Sequence, residues 1–439
     1  MVRTAACLLL ALCGLAHAQT VHLNDTGQTR CYALDQSVIP CSAANVGDSG
    51  ILPHQDARYG RDAAQLLGQL PKLGSGAAGF DFSCVLWDGT VIDGPDCHLG
   101  LVANLGNSPS ADPATDWACT LDNVTGLVWS LRTPEWVDWH VATSASYAAP
   151  GHNAASRCGL STGWRAPSRR EVLGLLDFDR ASGLAIDIAR FPGMQGTTDC
   201  WGAEPAVVPP EVPETEAYSV SLGNGVVSRR DKEGWFGIHG CLVHGAMTPT
   251  SPSFTIHPDG TATDNATGLM WDRCLVSPPG SPGPGLCDFV PLTSQSELPT
   301  SVVPLLQAVS ALNAAKHRGY NDWRIPNIKE LDSVLDLTLP TNPNVNFPGQ
   351  VMNTTVFPNL GGFLHARYDM ISATQTTQAV GGTSFFRVEP QAGGVVRVGL
   401  GGPFATGFTV ALRLVRGGHP PAGVDRLNPG DRLFANGFE

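Results

Sequence analysis

Several groups of side chains have types and spacings that could do chemistry. His239, Cys241 and His244 lie close together, as soft-metal ligands do. Zinc asks for four such ligands, no second cluster supplies them, and no Cys-x-x-Cys occurs. Asp122, Asn123, Asp264, Asn265, Asn321 and Asp322 are hard oxygen donors of the kind calcium takes. Turn chemistry accounts for the first four without an ion, because Asp and Asn bond their own backbone. Thr162-Gly163 stands where the second stretch has Asn321-Asp322, which argues against a shared site. Trp136, Trp139, Trp201 and Trp235 lie in polar surroundings and are the expected ligand-binding platform. Trp129, Trp164, Trp271 and Trp323 sit in strand-turn motifs and are expected in the core. There is no His-Glu-x-x-His and no phosphate loop. The expectation is a protein that is not an enzyme, with no cofactor and no metal.

These residues belong to a pattern written twice. Asp122-Asn123-Val124-Thr125-Gly126-Leu127-Val128-Trp129 returns as Asp264-Asn265-Ala266-Thr267-Gly268-Leu269-Met270-Trp271. Gly163-Trp164-Arg165-Ala166-Pro167 returns as Asp322-Trp323-Arg324-Ile325-Pro326. Two motifs in the same order mean a duplicated domain. After each Trp-Arg-x-Pro comes a capping box, Ser168 to Glu171 and Asn327 to Glu330, which starts a helix. Arg165 and Arg324 are expected to brace the repeat through hydrogen bonds or a carboxylate. A second helix is expected from Pro304 to His317, with Leu305, Leu306, Val309, Leu312 and Ala315 at helical spacing. Gly159 and Gly319 are its expected stops in the two copies. Asp259-Gly260 predicts a hairpin, as does Gly393-Gly394. Ala411 to Arg416 reads as a closing strand.

The chain has 439 residues, 42% hydrophobic and 15% charged, with Gly 50 and Pro 34. That supports a core but also many turns and loops. The formal net charge of -12 argues against a nucleic-acid or polyanion partner held by simple charge. Residues 1–18 read as a signal peptide: Arg3, the apolar run Ala5 to Cys13, then the cleavage pattern Ala16-His17-Ala18. No later run is long and apolar enough to be a membrane span. Removal of the leader leaves Cys31, Cys41, Cys84, Cys97, Cys119, Cys158, Cys200, Cys241, Cys274 and Cys287. An even set in an exported chain reads as disulfides, and the spacing suggests pairing in chain order.

The expected organisation is a cysteine-containing N-terminal segment (19–78), a first repeat (79–247), a second repeat (248–418) and a tail (419–439). The tail, Asp431 to Glu439, is similar to an ending found on exported proteins of some Gram-negative bacteria, which suggests a sorting role.

The motif set resembles the domain named for the C-terminal region of a Legionella collagen-like adhesin. The second repeat carries it fully, including Leu414-Val415-Arg416-Gly417. The first departs from it at Gly163 and at Cys241-Leu242-Val243-His244-Gly245. The resemblance implies an α+β fold akin to C-type-lectin-like domains: two tandem, disulfide-braced, loop-rich repeats. It implies adhesion to sugar or another cell-surface component, outside the cell or in the periplasm. The namesake's sulfated-glycan ligands do not suit an acidic, lysine-poor chain. A structural envelope protein binding only protein is the second reading, and an extracellular hydrolase the third.

Overall fold

In a computed structural model, the structure describes residues 23–32, 38–41, 54–180, 182–234, 237–276, 303–341, 351–358, 367–379, 382–389, 392–399 and 408–417. The leader, Trp235, Cys287 and the tail lie outside the described residues.

Helix α1 (Gly60–Leu66) of the N-terminal segment precedes the first copy's strands β1 (Phe82–Leu86), β2 (Asp116–Asp122) and β3 (Val128–Ser130). Helices α2 (Trp139–Thr143) and α3 (Arg169–Gly174) follow. Strands β4 (Asp199–Pro205), β5 (Glu216–Ser221) and β6 (Val227–Asp231) complete it. The second copy supplies β7 (Thr261–Asp264), β8 (Met270–Val276), α4 (Val303–Ala314) and α5 (Ile328–Ser333). It ends in β9 (Arg367–Ala379), β10 (Gly382–Glu389), β11 (Gly394–Gly399) and β12 (Phe408–Arg416). The architecture is mixed helix and sheet, and mostly sheet.

The repeated octamer forms a hairpin turn in both copies, and its chemistry is the same atom for atom. Asp122 accepts the Val124 N–H at 3.0 Å and the Thr125 hydroxyl at 2.8 Å. Asp264 accepts the Ala266 N–H at 2.9 Å and the Thr267 hydroxyl at 2.8 Å. Gly126 and Gly268 then take positive φ, 73° and 72°, which a side chain would resist. Each Trp that follows pairs with a closing strand: Trp129 opposite Val243, Trp271 opposite Val415. Those valines also lie opposite Arg165 and Arg324.

Four disulfides close in chain order: Cys31–Cys41, Cys84–Cys97, Cys119–Cys158 and Cys200–Cys241. Cys274 is also in a disulfide, but the expected partner Cys287 lies outside the described residues. The long helix α4 ends at Ala314, short of the expected His317. Lys316 and Arg318 go left-handed there, and a 3-10 turn at His317–Gly319 carries the chain on. The first copy does the same with Ser156 and Cys158, and its helix is broken into shorter pieces at Ala145–Ala148 and Ala149–Asn153. Gly159 and Gly319 therefore finish 3-10 turns, not helices.

The two copies share a large sheet and a buried cluster, while β1–β3 of the first copy lie in a separate seven-stranded sheet. An eleven-stranded sheet runs without a break from β4–β6 into β11, β10, β9, β12, β8 and β7. The join is between equivalent residues, Val227 opposite Val395. Helices α3 and α5 meet beneath it, and the buried set includes Trp129, Leu173 and Phe191 with Trp271, Leu331 and Phe357. Among the described residues no helix is long and apolar enough to cross a membrane.

Candidate functional site

The capping boxes fix where each Trp-Arg unit points. Ser168 Oγ accepts the Glu171 N–H at 3.1 Å, and Glu171 Oε2 accepts the Ser168 N–H at 2.6 Å. Asn327 and Glu330 repeat this at 2.9 Å in both directions. The same glutamates each hold an arginine with two parallel bonds. Arg165 meets Glu171 at 2.8 and 2.8 Å; Arg324 meets Glu330 at 2.6 and 2.6 Å. Each guanidinium also donates to the carbonyl ending the closing strand, Gly245 or Gly417. Side chains used so fully for support have little left for a ligand. Trp129, Trp164, Trp271 and Trp323 are buried as well. Asp322 pairs with Arg416 at 2.7 Å. Asn123 bonds Asp81 and Ser83, and Asn265 bonds Thr255 and Ser253, so the turn motifs are scaffold.

The metal-like trio does not assemble. Cys241 is spent in its disulfide, and His239 Nδ1 faces the Asp199 carbonyl at 3.2 Å. The His244 ring packs edge-on against Trp164, 5.8 Å between centroids. Among the described residues no group of three or more His, Cys, Asp or Glu is placed to hold a metal ion.

Two serines have features of hydrolase nucleophiles. Gly159-Leu160-Ser161-Thr162-Gly163 spells a nucleophile elbow, a spelling the sequence reading passed over. That elbow requires a strand-to-helix turn. Here Ser161 is exposed between a 3-10 turn and the short strand Trp164–Arg165, and it bonds no histidine. Ser130 Oγ does sit 2.7 Å from His152 Nε2. Both are buried, and burial pushes the His152 pKa down to about 3, which makes it a poor base near neutrality. Its Nδ1 is buried without a partner, so the orienting carboxylate of a triad is missing. Likewise Gly74 to Gly79 has a dinucleotide-loop spelling. A side-chain carbon on Gly74 would lie 2.0 Å from the Phe82 carbonyl oxygen, so this loop is packed against strand β1.

The polar-region tryptophans do gather, around α2 of the first copy. Asp138 caps α2 by accepting the Val141 N–H at 2.8 Å. The Trp139 indole N–H donates to the Gly202 carbonyl at 2.9 Å, and its backbone N–H to the Lys232 carbonyl at 3.0 Å. The Trp201 indole donates to the Val137 carbonyl at 2.8 Å. Trp201 itself is fully buried beside Ala142 and Ala217, which corrects its expected place on the platform: strand β4 turns the ring inward to form the floor. Trp235 lies outside the described residues. Trp136 is the exposed member at 51%, its ring edge-on to His239 with 5.9 Å between centroids. Trp139 is half-buried, with Lys232 Nζ 4.6 Å above its ring. Lys232 pairs with Glu214 at 2.6 Å, and the exposed His140 faces Glu233 at 3.5 Å. The sequence reading missed Lys232, His140 and Glu233. The signal was there in Asp231-Lys232-Glu233, which holds one of the few lysines of the chain and lies two residues before Trp235.

The platform belongs to the first copy's divergent stretch, and the scaffold to both copies. Neither the curated proteins nor the solved structures contain a match to the chain. A family model does match, twice, over residues 118–239 and 260–416, which together make up more than half of the chain. By its doubled turn, braced arginine and closing strand, the chain belongs to the Lcl C-terminal domain family, as two tandem copies.

Proposed function

We propose that the chain is an exported binding protein, not an enzyme, whose first copy presents a platform for a carbohydrate or another cell-surface ligand. The observation that carries this is Trp136, a half-exposed indole beside an anchored Trp139. A sugar ring offers an apolar C–H face to an indole and hydroxyls to the polar groups around it. The half-buried Trp139 and the exposed His140 and Glu233 form that rim, with Lys232 buried beneath it against Trp139 and Glu214. Disulfides and the leader-like residues 1–18 fit export to an oxidising compartment. The C-type-lectin likeness and adhesion belong to this same reading and rest on the family.

The test is a glycan array on the mature protein, with and without calcium, run beside Trp136→Ala. The expected result is binding by the mature protein that the variant loses while staying folded. No glycan bound under either condition, together with retention on an envelope protein fraction, turns the reading to a structural envelope role.

A further inference from the structure

The segment from Leu23 to Gln28 does more than enter the first copy. It lies between the two copies with residues 24–28 buried, and it bonds both. Toward the first copy, Asn24 Nδ2 donates to Asp122 at 2.5 Å, and the Thr26 carbonyl accepts the Phe178 N–H at 2.8 Å. Toward the second, Lys329 Nζ donates to the Asp25 carbonyl, and Asn327 Nδ2 to the Asp25 carboxylate at 3.2 Å. Gln28 exchanges bonds with the backbone of Gln375 on β9.

Three aspartates are buried along this segment: Asp25, Asp56 and Asp62, at 6%, 3% and 0% exposure. The Thr26 hydroxyl lies 2.7 Å from Asp56 Oδ2 and 3.4 Å from Asp62 Oδ2. A hydroxyl has one hydrogen and cannot donate to both. Asp56 Oδ2 already accepts the Thr374 hydroxyl at 2.6 Å, and Asp62 Oδ1 the Gly79 N–H at 2.7 Å. The chain of bonds closes if Asp62 itself carries a hydrogen and donates to Thr26, which then donates to Asp56.

The charge around the cluster points the same way. From the first copy it is faced by Arg61, Asp81, Asp122 and Asp177; from the second by Lys329, Glu330 and Arg324. Glu330 is matched by Arg324, Asp81 is held by the Leu73 and Gly74 N–H groups, and Asp177 faces Arg180. The main cations facing Asp25, Asp56, Asp62 and Asp122 are Lys329 and Arg61, with Lys72 reaching Asp62 and Arg324, already matched to Glu330, reaching Asp56. Buried carboxylates in excess of their cations hold protons instead of charge.

We propose that the segment Leu23–Gln28 is a proton-held strap: a shared carboxyl hydrogen in the Asp62–Thr26–Asp56 chain clamps it between the two copies, and loss of that hydrogen loosens it. The inference is independent of any ligand of the tryptophan platform.

The sign follows from burial. Desolvation raises the pKa of Asp25, lifts that of Asp56 to about 7 and pushes that of Asp62 well above its ordinary value near 3.8. Groups that hold protons more tightly when folded contribute stability that is complete below about pH 4. Asp62 and Asp56 share that hydrogen through Thr26, so the contribution of the pair is lost as pH rises through about 7, the value for Asp56. Lys329, pushed by burial down to about 8, loses its charge next and with it the main facing cation.

The test is hydrogen exchange on the mature chain at pH 5 and pH 8, read as protection after correction for the intrinsic rate. Peptides over residues 23–29 and 175–180 report the strap; a peptide over 216–221, in strand β5 and paired on both sides within the large sheet, is the control. The strap peptides are expected to lose about tenfold or more of their protection at pH 8 while the control holds, since one pKa unit corresponds to a factor of ten. Asp62→Asn places an amide N–H where the carboxyl hydrogen would be and keeps an acceptor for Gly79. Its strap protection at pH 8 is expected to match that of the unmodified protein at pH 5. A flat profile for the unmodified protein overturns the proposal. So does an Asp62→Asn profile that keeps the original pH dependence. Should that variant fail to fold, the unmodified protein's profile decides alone.

Discussion

The two braces are the same constellation in different surroundings. Arg165 keeps 20% of its side chain in solvent, while Arg324 keeps 4%. Glu171 takes an additional N–H bond from Thr248, at 2.9 Å, in the connection between the copies. Glu330 instead faces the acid-rich strap around Asp25. Duplication therefore preserved the brace and let its environment drift: the first copy has the wetter arginine on a fully buried glutamate, and the second has both partners nearly buried beside other charges. The difference shows how one motif can carry different energetic weight in each half of a molecule.

The largest expected effect breaks the buried brace. Removing one partner of a buried ion pair leaves the other charge stranded, at about 3–5 kcal/mol. Arg324→Ala is expected to cost that much, measured by urea unfolding. Arg165→Ala is expected to cost less, about 1–3 kcal/mol, since Glu171 keeps its bonds from both Ser168 and Thr248. Equal losses would mean that burial is not what separates the two braces.

A smaller effect sharpens the same comparison at the caps. Ser168→Ala removes one N-cap bond, worth about 1 kcal/mol. Asn327→Ala removes the equivalent bond and also the contact with Asp25, and is expected to cost about 2 kcal/mol by adding the worth of one further hydrogen bond. The excess in Asn327→Ala is expected to vanish in an Asp25→Ala background, a double-mutant cycle that isolates the strap contact.

What could be read in advance was local. The turn octamers, the capping boxes and the short disulfide loops each lie within a few tens of residues, where residue type and spacing decide the geometry. The arginine brace was half legible: a carboxylate partner could be expected, and it proved to be the capping glutamate, six residues on in both copies. The strap was illegible because its bonds join residues about three hundred apart, such as Asp25 and Lys329. Nothing in Asn24-Asp25-Thr26 marks it as more than a turn. The helix stop misread in both copies has a similar cause. Cys158 and Arg318 adopt a left-handed backbone that residue preference argues against. Burial of Cys158 in its disulfide and the ties of Arg318 to Asp272 and Cys274 override that preference. Trp201 was misplaced because a polar neighbourhood in sequence says nothing about which face of a strand a ring takes.

The smallest effect on stability is expected where the copies differ most. Trp136 has no counterpart in the repeated motifs, and half of its surface meets solvent. Trp136→Ala should therefore change unfolding by no more than about 0.5 kcal/mol, as for surface positions in general. Trp201→Ala is the contrasting change. It empties a fully buried ring site and should cost about 3–5 kcal/mol. If both variants proved equally destabilising, Trp136 would be a packing residue of the first copy, and the ligand platform would lose the residue on which it depends. A Trp136→Ala protein as stable as its parent leaves the indole without a structural duty, and ligand loss in that variant then reads on recognition alone.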